Sequence, residues 1–305
     1  MRRKGSAMKS GFVSIIGRPN VGKSTLLNAI IGEKVAIIAD KPQTTRNRIR
    51  GIYNEFNENS LECQIVFIDT PGITRPKNKL GAYMRDSAVG TFAEVDAIVY
   101  VVDEKLGKSG GDNFITERLE SVNTPKILAI NKMDNMAPDY YEKLYKEYEA
   151  TGIFKEIIGI SALNNNNIDI LIKKINENIG EGPQYFPTDM VTDRPERFLA
   201  CEIIREKMLH YLHEEVPHGI AVEIESYQEK PNITKISAVI YTEKKTHKGI
   251  IIGKDGHTLK GIGKSARQDL EMLFGVKVFL ELWVKVKEKW RDSDYILNSL
   301  GYGDE

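Results

Sequence analysis

The chain has 305 residues, which at roughly 150 residues per domain suggests two domains. With 41% hydrophobic and 28% charged residues it has the profile of a soluble globular protein and not of a disordered chain. No apolar run approaches the ~18 residues of a membrane span; the longest strings, such as Ala97–Val102, are strand-sized. Lys+Arg and Asp+Glu both number 43, so only the distribution of charge can indicate a partner.

Residues 1–10 open with Met1-Arg-Arg-Lys and lack the apolar stretch of a secretory signal, so they read as a flexible leader on a cytoplasmic chain. Cys63 and Cys201 are far apart and read as buried, reduced thiols. His210 and His213 sit at i, i+3 of an expected helix, but no further Cys or His stands nearby to complete a zinc site.

From residue 11 to 180, short β-branched runs alternate with longer helical stretches. Phe12–Ile16, Ile65–Ile68, Ala97–Val102, Lys126–Ile130 and Ile157–Ile160 are expected strands, each followed by a helical segment. This alternation predicts an α/β domain with a mostly parallel sheet covered by helices. Arg50–Phe56 and Leu61–Ile68 read as an antiparallel hairpin at the sheet edge. Between 181 and 197, Gly182, Pro183, Pro187 and Pro195 punctuate a polar stretch that reads as a linker. Residues 198–305 then follow a different order: helix, two strands, a Gly-rich break, helix, strand and a short C-terminal helix. That is a smaller α+β domain.

Gly17-Arg-Pro-Asn-Val-Gly22-Lys23-Ser24 follows the first strand and opens the first helix, in the pattern G-x-x-x-x-G-K-[ST]. Its glycines let backbone N–H groups, including those of Asn20, Val21 and Thr25, curl around phosphate oxygens at a helix N-terminus. Lys23 is expected to reach the β- and γ-phosphates, and Ser24 to ligate Mg²⁺. Asp69-Thr70-Pro71-Gly72 ends an apolar strand, where Asp69 can hold Mg²⁺ and the Gly72 N–H can contact a γ-phosphate. A threonine sensing both must lie between these motifs. Thr44 and Thr45 are the candidates, with Thr45 preferred, in a switch segment spanning 34–48.

Asn131-Lys132-Met133-Asp134 and Ser161-Ala162-Leu163 end successive strands and are expected to select the base. An ionised Asp134 accepts from guanine N1–H and N2–H₂, Asn131 bonds N7, and the Ala162 N–H donates to O6. Adenine offers neither that donor pair nor that acceptor, and each polar group left unpaired costs ~1–3 kcal/mol. The ligand is therefore expected to be GTP or GDP rather than ATP.

In the second domain, Lys248-Gly249-Ile250-Ile-Ile252 precedes a Gly253-Lys254-Asp255-Gly256 turn and an amphipathic helix carrying Lys260, Lys264 and Arg267. The glycines would let a ribose-phosphate backbone approach the turn, and Ile250–Ile252 and the following helix would wall a groove for bases. Asp255 is a departure, a negative charge inside the clamp. From Lys235 to Arg267 eight basic residues face two acidic ones, an electrostatic footprint for a phosphate backbone. Gly263-Lys264-Ser265 imitates the end of a phosphate loop, but Thr258 stands where its first glycine belongs.

Taken together, the first set of motifs resembles a Ras-like P-loop GTPase domain and the second a KH module of type II. Their order, with Arg197–Lys207, Glu214-Glu-Val-Pro-His, Trp290-Arg and Leu300-Gly-Tyr, resembles the Era family of bacterial GTPases over residues 11–302. The resemblance implies a GTP-hydrolysing switch that binds the 3′ end of small-subunit ribosomal RNA and assists maturation of the 30S subunit. It further implies a monomer acting on RNA and not DNA, with peripheral association at the inner face of the cytoplasmic membrane. Where Ras-like enzymes carry a water-orienting glutamine, this chain has Ile73, so slow intrinsic hydrolysis is expected. By the same resemblance, Asn20 is a candidate K⁺ ligand. A passive RNA-binding scaffold with a structural nucleotide site is the alternative.

Overall fold

The computed structural model describes residues 8–58, 60–103 and 110–303. Of the leader expected at 1–10, residues 1–7 lie outside the described residues, and Lys9 and Ser10 already belong to the first strand.

β1 (Lys9–Gly17) leads through the glycine-rich turn into α1 (Lys23–Ile31). β2 (Ile49–Asn57) and β3 (Ser60–Asp69) form the antiparallel pair. α2 (Lys79–Gly90), β4 (Ala97–Val102), α3 (Gly110–Glu120), β5 (Lys126–Ile130), α4 (Pro138–Glu149), β6 (Glu156–Gly159) and α5 (Ile168–Asn178) complete the alternation. The six strands lie in the order β2-β3-β1-β4-β5-β6, with every pairing parallel except β2 with β3. Covered on both faces, the central strands are apolar throughout: all six residues of β4 are buried. α5 buries Ile168, Leu171, Ile172 and Ile175, one stripe at helical spacing.

Register decides where the motifs meet. Ile15 stands opposite Asp69, Gly17 opposite Val101, Val102 opposite Ile130, and Ile130 opposite Gly159. The C-terminal ends of five parallel-running strands therefore align at one edge, where ligands bind in open α/β sheets.

The second domain runs α6 (Glu196–Tyr211), β7 (Ile220–Lys230), β8 (Ile233–Thr242), α7 (Lys245–Ile252), α8 (His257–Phe274), β9 (Lys277–Val286) and α9 (Asp294–Ser299). Its sheet has the order β7-β8-β9, antiparallel then parallel. Ile203, Ile204 and Met208 of α6 join Ile262, Ala266 and Leu270 of α8 in a core against Val222, Ile236 and Ile240. α7 was not expected: the Gly-rich break is in part a helix, which β-branched Ile250–Ile252 and Gly249 disguise by their low helix propensity.

Compact units divide the chain differently from the expected linker. One comprises Met1–Ala36, Thr45–Arg75 and Met84–Asp193; the other comprises Ile37–Thr44, Pro76–Tyr83 and Arg194–Glu305. Residues 181–193 pack on the first unit. The buried Gln64 donates to Phe186 O at 2.9 Å and accepts from the N–H groups of Tyr185 and Phe186. Ile52 N, on the edge strand, donates to Val191 O at 2.9 Å, and Arg50 pairs with Asp193 at 2.6 Å. The prolines break periodicity there without preventing packing, because an open strand edge and a buried amide both need partners. Cys63 is buried, and burial pushes its thiol up to about 11, whereas Cys201 is only half-buried and donates to Val222 O.

Candidate functional site

Gly22 adopts φ 98°, and a Cβ there would lie 2.3 Å from Asn131 Nδ2, so both the turn and its neighbour exclude a side chain. Lys23 follows as the first residue of α1, its Nζ donating to Arg18 O at 2.9 Å. Burial lowers the Lys23 pKa to about 8, with Asp69 acting in the opposite direction.

Next to it, three oxygens converge. Ser24 Oγ donates to Asp69 Oδ2 at 2.7 Å and lies 2.8 Å from Thr45 Oγ1, which itself reaches Asp69 Oδ2 at 3.2 Å. Burial raises the Asp69 pKa, against Lys23 and the hydrogen bonds from Ser24, Thr45 and Thr70. The second carboxylate oxygen, Oδ1, is buried without a hydrogen-bond partner among the described residues. Two hydroxyls and a carboxylate with an orphaned oxygen are a donor set suited to a hard divalent cation such as Mg²⁺. Thr44 is elsewhere: its hydroxyl donates to Lys41 O at 2.6 Å.

Further along, Thr70 is fully buried and spends its hydroxyl on Ile15 O at 2.9 Å, a bond that ties β3 to β1. Gly72 packs on the phosphate loop, where a Cβ would meet Pro19 at 2.7 Å. Ile73 donates its N–H to Gly17 O at 3.2 Å and buries its side chain with Ile16 and Ile68. An aliphatic group so packed cannot orient water.

Asn131 links the base-selecting loops to the phosphate loop: Nδ2 donates to Val21 O at 2.9 Å, and Oδ1 accepts from Ala162 N at 3.0 Å. The N–H expected to serve guanine O6 thus buttresses Asn131 in this structure. Ser161 Oγ donates to Asp134 Oδ1, orienting that carboxylate, while the Leu163 side chain is exposed. Lys132, at φ 65°, donates from Nζ to Asn20 O and Asp103 Oδ2, both at 2.7 Å.

Asp103 belongs to none of the sequence motifs. It follows β4 directly, is buried, and also meets Arg18 at 3.6 Å, so it joins two loops of the site. A lone aspartate after an apolar strand is a weak signal; only its position at the C-terminal end of a parallel strand could have flagged it.

In the second unit, Gly253, Asp255 and Gly256 all take left-handed φ values of 72°, 51° and 75°. At Gly253 a Cβ would lie 2.3 Å from Thr258 Oγ1. Lys254 and Asp255 are exposed at the tip, and Lys260 Nζ approaches Asp255 O at 3.4 Å. A groove of about 540 Å³ runs beside this turn between α8 and β9. Lys260, Lys264 and Arg267 charge one side; Leu259, Leu280 and Leu282 supply an apolar floor. Lys248, Gly249, Ile250 and Ile252 do not line it: Ile250 is 51% exposed and Ile251 enters the core instead. The helix after the turn, α8, walls this groove as expected, and β9 supplies its other side through Leu280 and Leu282.

The profile of the 50S ribosome-binding GTPase family matches residues 12–132, and that of the KH domain matches residues 215–291. GTPase Era of Alkaliphilus metalliredigens is 58% identical, covering 96% of this chain and 99% of its own length. GTPase Era of Clostridioides difficile is 55% identical, with 97% and 99% covered. Among solved structures, Era in complex with MgGDPNP and nucleotides 1506–1542 of 16S ribosomal RNA superposes with a TM-score of 0.93 at 42% identity, covering 97% of this chain and all of that one. A tyrosine-to-alanine variant of Aquifex aeolicus Era bound to GDP·AlF₄⁻ gives a TM-score of 0.90 at 42% identity, with 97% of this chain and all of that one covered. At 55% and 58% identity to these relatives over nearly its whole length, the chain belongs to the Era family of GTPases.

Proposed function

We propose that this protein is a GTP-hydrolysing switch that binds the 3′ end of small-subunit ribosomal RNA through its KH domain and assists maturation of that subunit. The meeting of Ser24, Thr45 and Asp69 carries the reading, because it unites a phosphate loop and both switch segments at one point. These residues would hold Mg²⁺, which spreads the charge of the β- and γ-phosphate oxygens. Lys23 adds a positive charge there, and the Gly72 N–H is the donor for the γ-phosphate. Asn131, Asp134 and Ala162 select guanine over adenine. With Ile73 unable to orient water, intrinsic hydrolysis is slow. A monovalent cation compensates, K⁺ held by Asn20; equal rates in K⁺ and Na⁺ buffers would remove that part of the reading.

RNA enters the groove between α8 and β9, its phosphates neutralised by Lys260, Lys264 and Arg267 and its bases lying on Leu280 and Leu282. The same reading has a monomer in the cytoplasm, acting on RNA and not on DNA, with peripheral association at the membrane's inner face. Among the described residues no helix is long and apolar enough to cross a membrane.

Burial of Ile73 favours a second reading, a passive RNA scaffold whose nucleotide is structural. Titrating the 16S 3′-end RNA into the protein with a GTP analogue, with GDP and without nucleotide separates the two. Different affinities support the switch; equal affinities support the scaffold.

A further inference from the structure

Residues Ile37–Thr44, immediately before Thr45, belong to the same compact unit as α6. The helix holds them through side chains that the phosphate site does not use. Glu206 Oε1 accepts from Ile38 N at 2.9 Å, and His210 Nε2 meets Ile38 O at 3.1 Å. Lys41 Nζ donates to Leu209 O and Leu212 O, at the end of the helix where carbonyls lack intrahelical partners and the dipole is negative.

Nearest Thr45 is Arg205. Its Nη1 donates to Gln43 O at 3.3 Å and its Nη2 to Thr44 O. Glu202, one turn earlier on α6, takes Nε at 2.8 Å and also binds Nη2. Both side chains are buried, Arg205 completely. Burial works against the guanidinium's charge, but Glu202 outweighs it and raises the pKa. A buried ion pair is often no more stabilising than apolar residues of the same size, so stability alone is a weak reason to have one. A fork that fixes two successive carbonyls is a specific use of it.

Geometry carries the effect to Thr45. The Thr44 carbonyl shares one planar peptide unit with the Thr45 nitrogen and Cα. Once Arg205 holds that oxygen, only φ and χ1 of Thr45 separate the clamp from the hydroxyl, and χ1 of a β-branched residue is stiff. We propose that Arg205, braced by Glu202, is a positioning residue for GTP hydrolysis: it holds the peptide unit that leads into Thr45 and so restricts the orientation from which the threonine presents its hydroxyl. This rests on Thr45 being the Mg²⁺ ligand of the GTP-bound state.

The test uses the full chain, purified as Glu202→Gln/Arg205→Met, which removes both charges at similar volume, and as Arg205→Lys, which keeps the charge but loses the fork. Switch threonines act on the γ-phosphate state and are released with GDP. The double variant should therefore lower kcat for GTP about tenfold and raise the Mg²⁺ concentration needed for half-maximal rate, with the Kd for GDP within about twofold of the parent. Arg205→Lys should move the same quantities in the same direction, and it decides the matter where the double variant does not fold. Adding the double substitution to Thr45→Ala should cause little loss beyond that of Thr45→Ala alone, because both act through one hydroxyl. Parental kcat and Mg²⁺ dependence in the variants, or equal loss of GTP and GDP binding, would overturn the proposal. Should Thr45→Ala alone leave hydrolysis intact, the metal assignment itself fails; a damaging Thr45→Ala with a normal Arg205 variant rejects only the positioning role.

Discussion

Ser24 Oγ lies 2.8 Å from Thr45 Oγ1, although 21 residues of chain separate them. The hydroxyl that follows the phosphate loop and the hydroxyl of the switch segment thus share Asp69 Oδ2 as a neighbour. Thr44, one residue earlier, faces Ala39 O and Lys41 O instead.

That arrangement separates two adjacent threonines by experiment. Thr45→Ala should reduce kcat for GTP about a hundredfold, as expected when a group stabilising transition-state charge is lost. Thr44→Ala should cost about 1 kcal/mol of local stability and leave the Mg²⁺ dependence of hydrolysis unchanged. Single-turnover hydrolysis over a Mg²⁺ series checks both, and the reverse ranking would transfer the metal role to Thr44.

Asp103 holds Lys132 on the phosphate loop, and hydrogen bonds to charged groups are worth about 1.5–3 kcal/mol. Asp103→Asn keeps the shape and removes the charge. It should weaken GDP binding by roughly tenfold, about 1.4 kcal/mol, mainly through faster release. Stopped-flow displacement of a fluorescent GDP measures this; an unchanged off-rate would make Asp103 a bystander.

Base selection can be inverted at Asp134, whose carboxylate Ser161 orients. Xanthine has an oxygen acceptor at C2 where guanine has an amine donor, so Asp134→Asn should prefer xanthine nucleotides by more than tenfold. Competition between the two diphosphates reads the preference, and retained guanine preference would contradict the assignment.

In the groove proposed for RNA, Lys264→Gln should remove one phosphate contact. The slope of log K against log salt should fall by about 0.7 for a single strand, with intrinsic GTP hydrolysis unaffected. Fluorescence anisotropy at four salt concentrations suffices, and an unaltered slope would take Lys264 out of the interface.

The motifs were legible because each is a local chemical statement. Gly17 to Ser24 needs particular residues within one turn, and Gly253 and Gly256 occupy left-handed backbone that glycine adopts most easily. Alternating apolar runs were enough to foresee the parallel sheet and its antiparallel edge. The proposal that Asn131 and Asp134 face the base rests on hydrogen-bonding capacity that the sequence already displays.

Other features depend on which distant segments pack together, and no short window contains that. The choice between Thr44 and Thr45 turned on the path of the chain past Asp69. Asp103 became part of the site through the alignment of β4 with β1. Leu280 and Leu282 became a groove floor because β9 lies beside α8, whereas Ile251, adjacent to the KH turn, went into the core. Residues 181–193 gained partners because Gln64 and the open edge of β2 needed them. Turn chemistry and hydrophobic period act over a few residues; the meeting of polar groups more than a hundred residues apart is decided only when the core and the strand register fix the backbone.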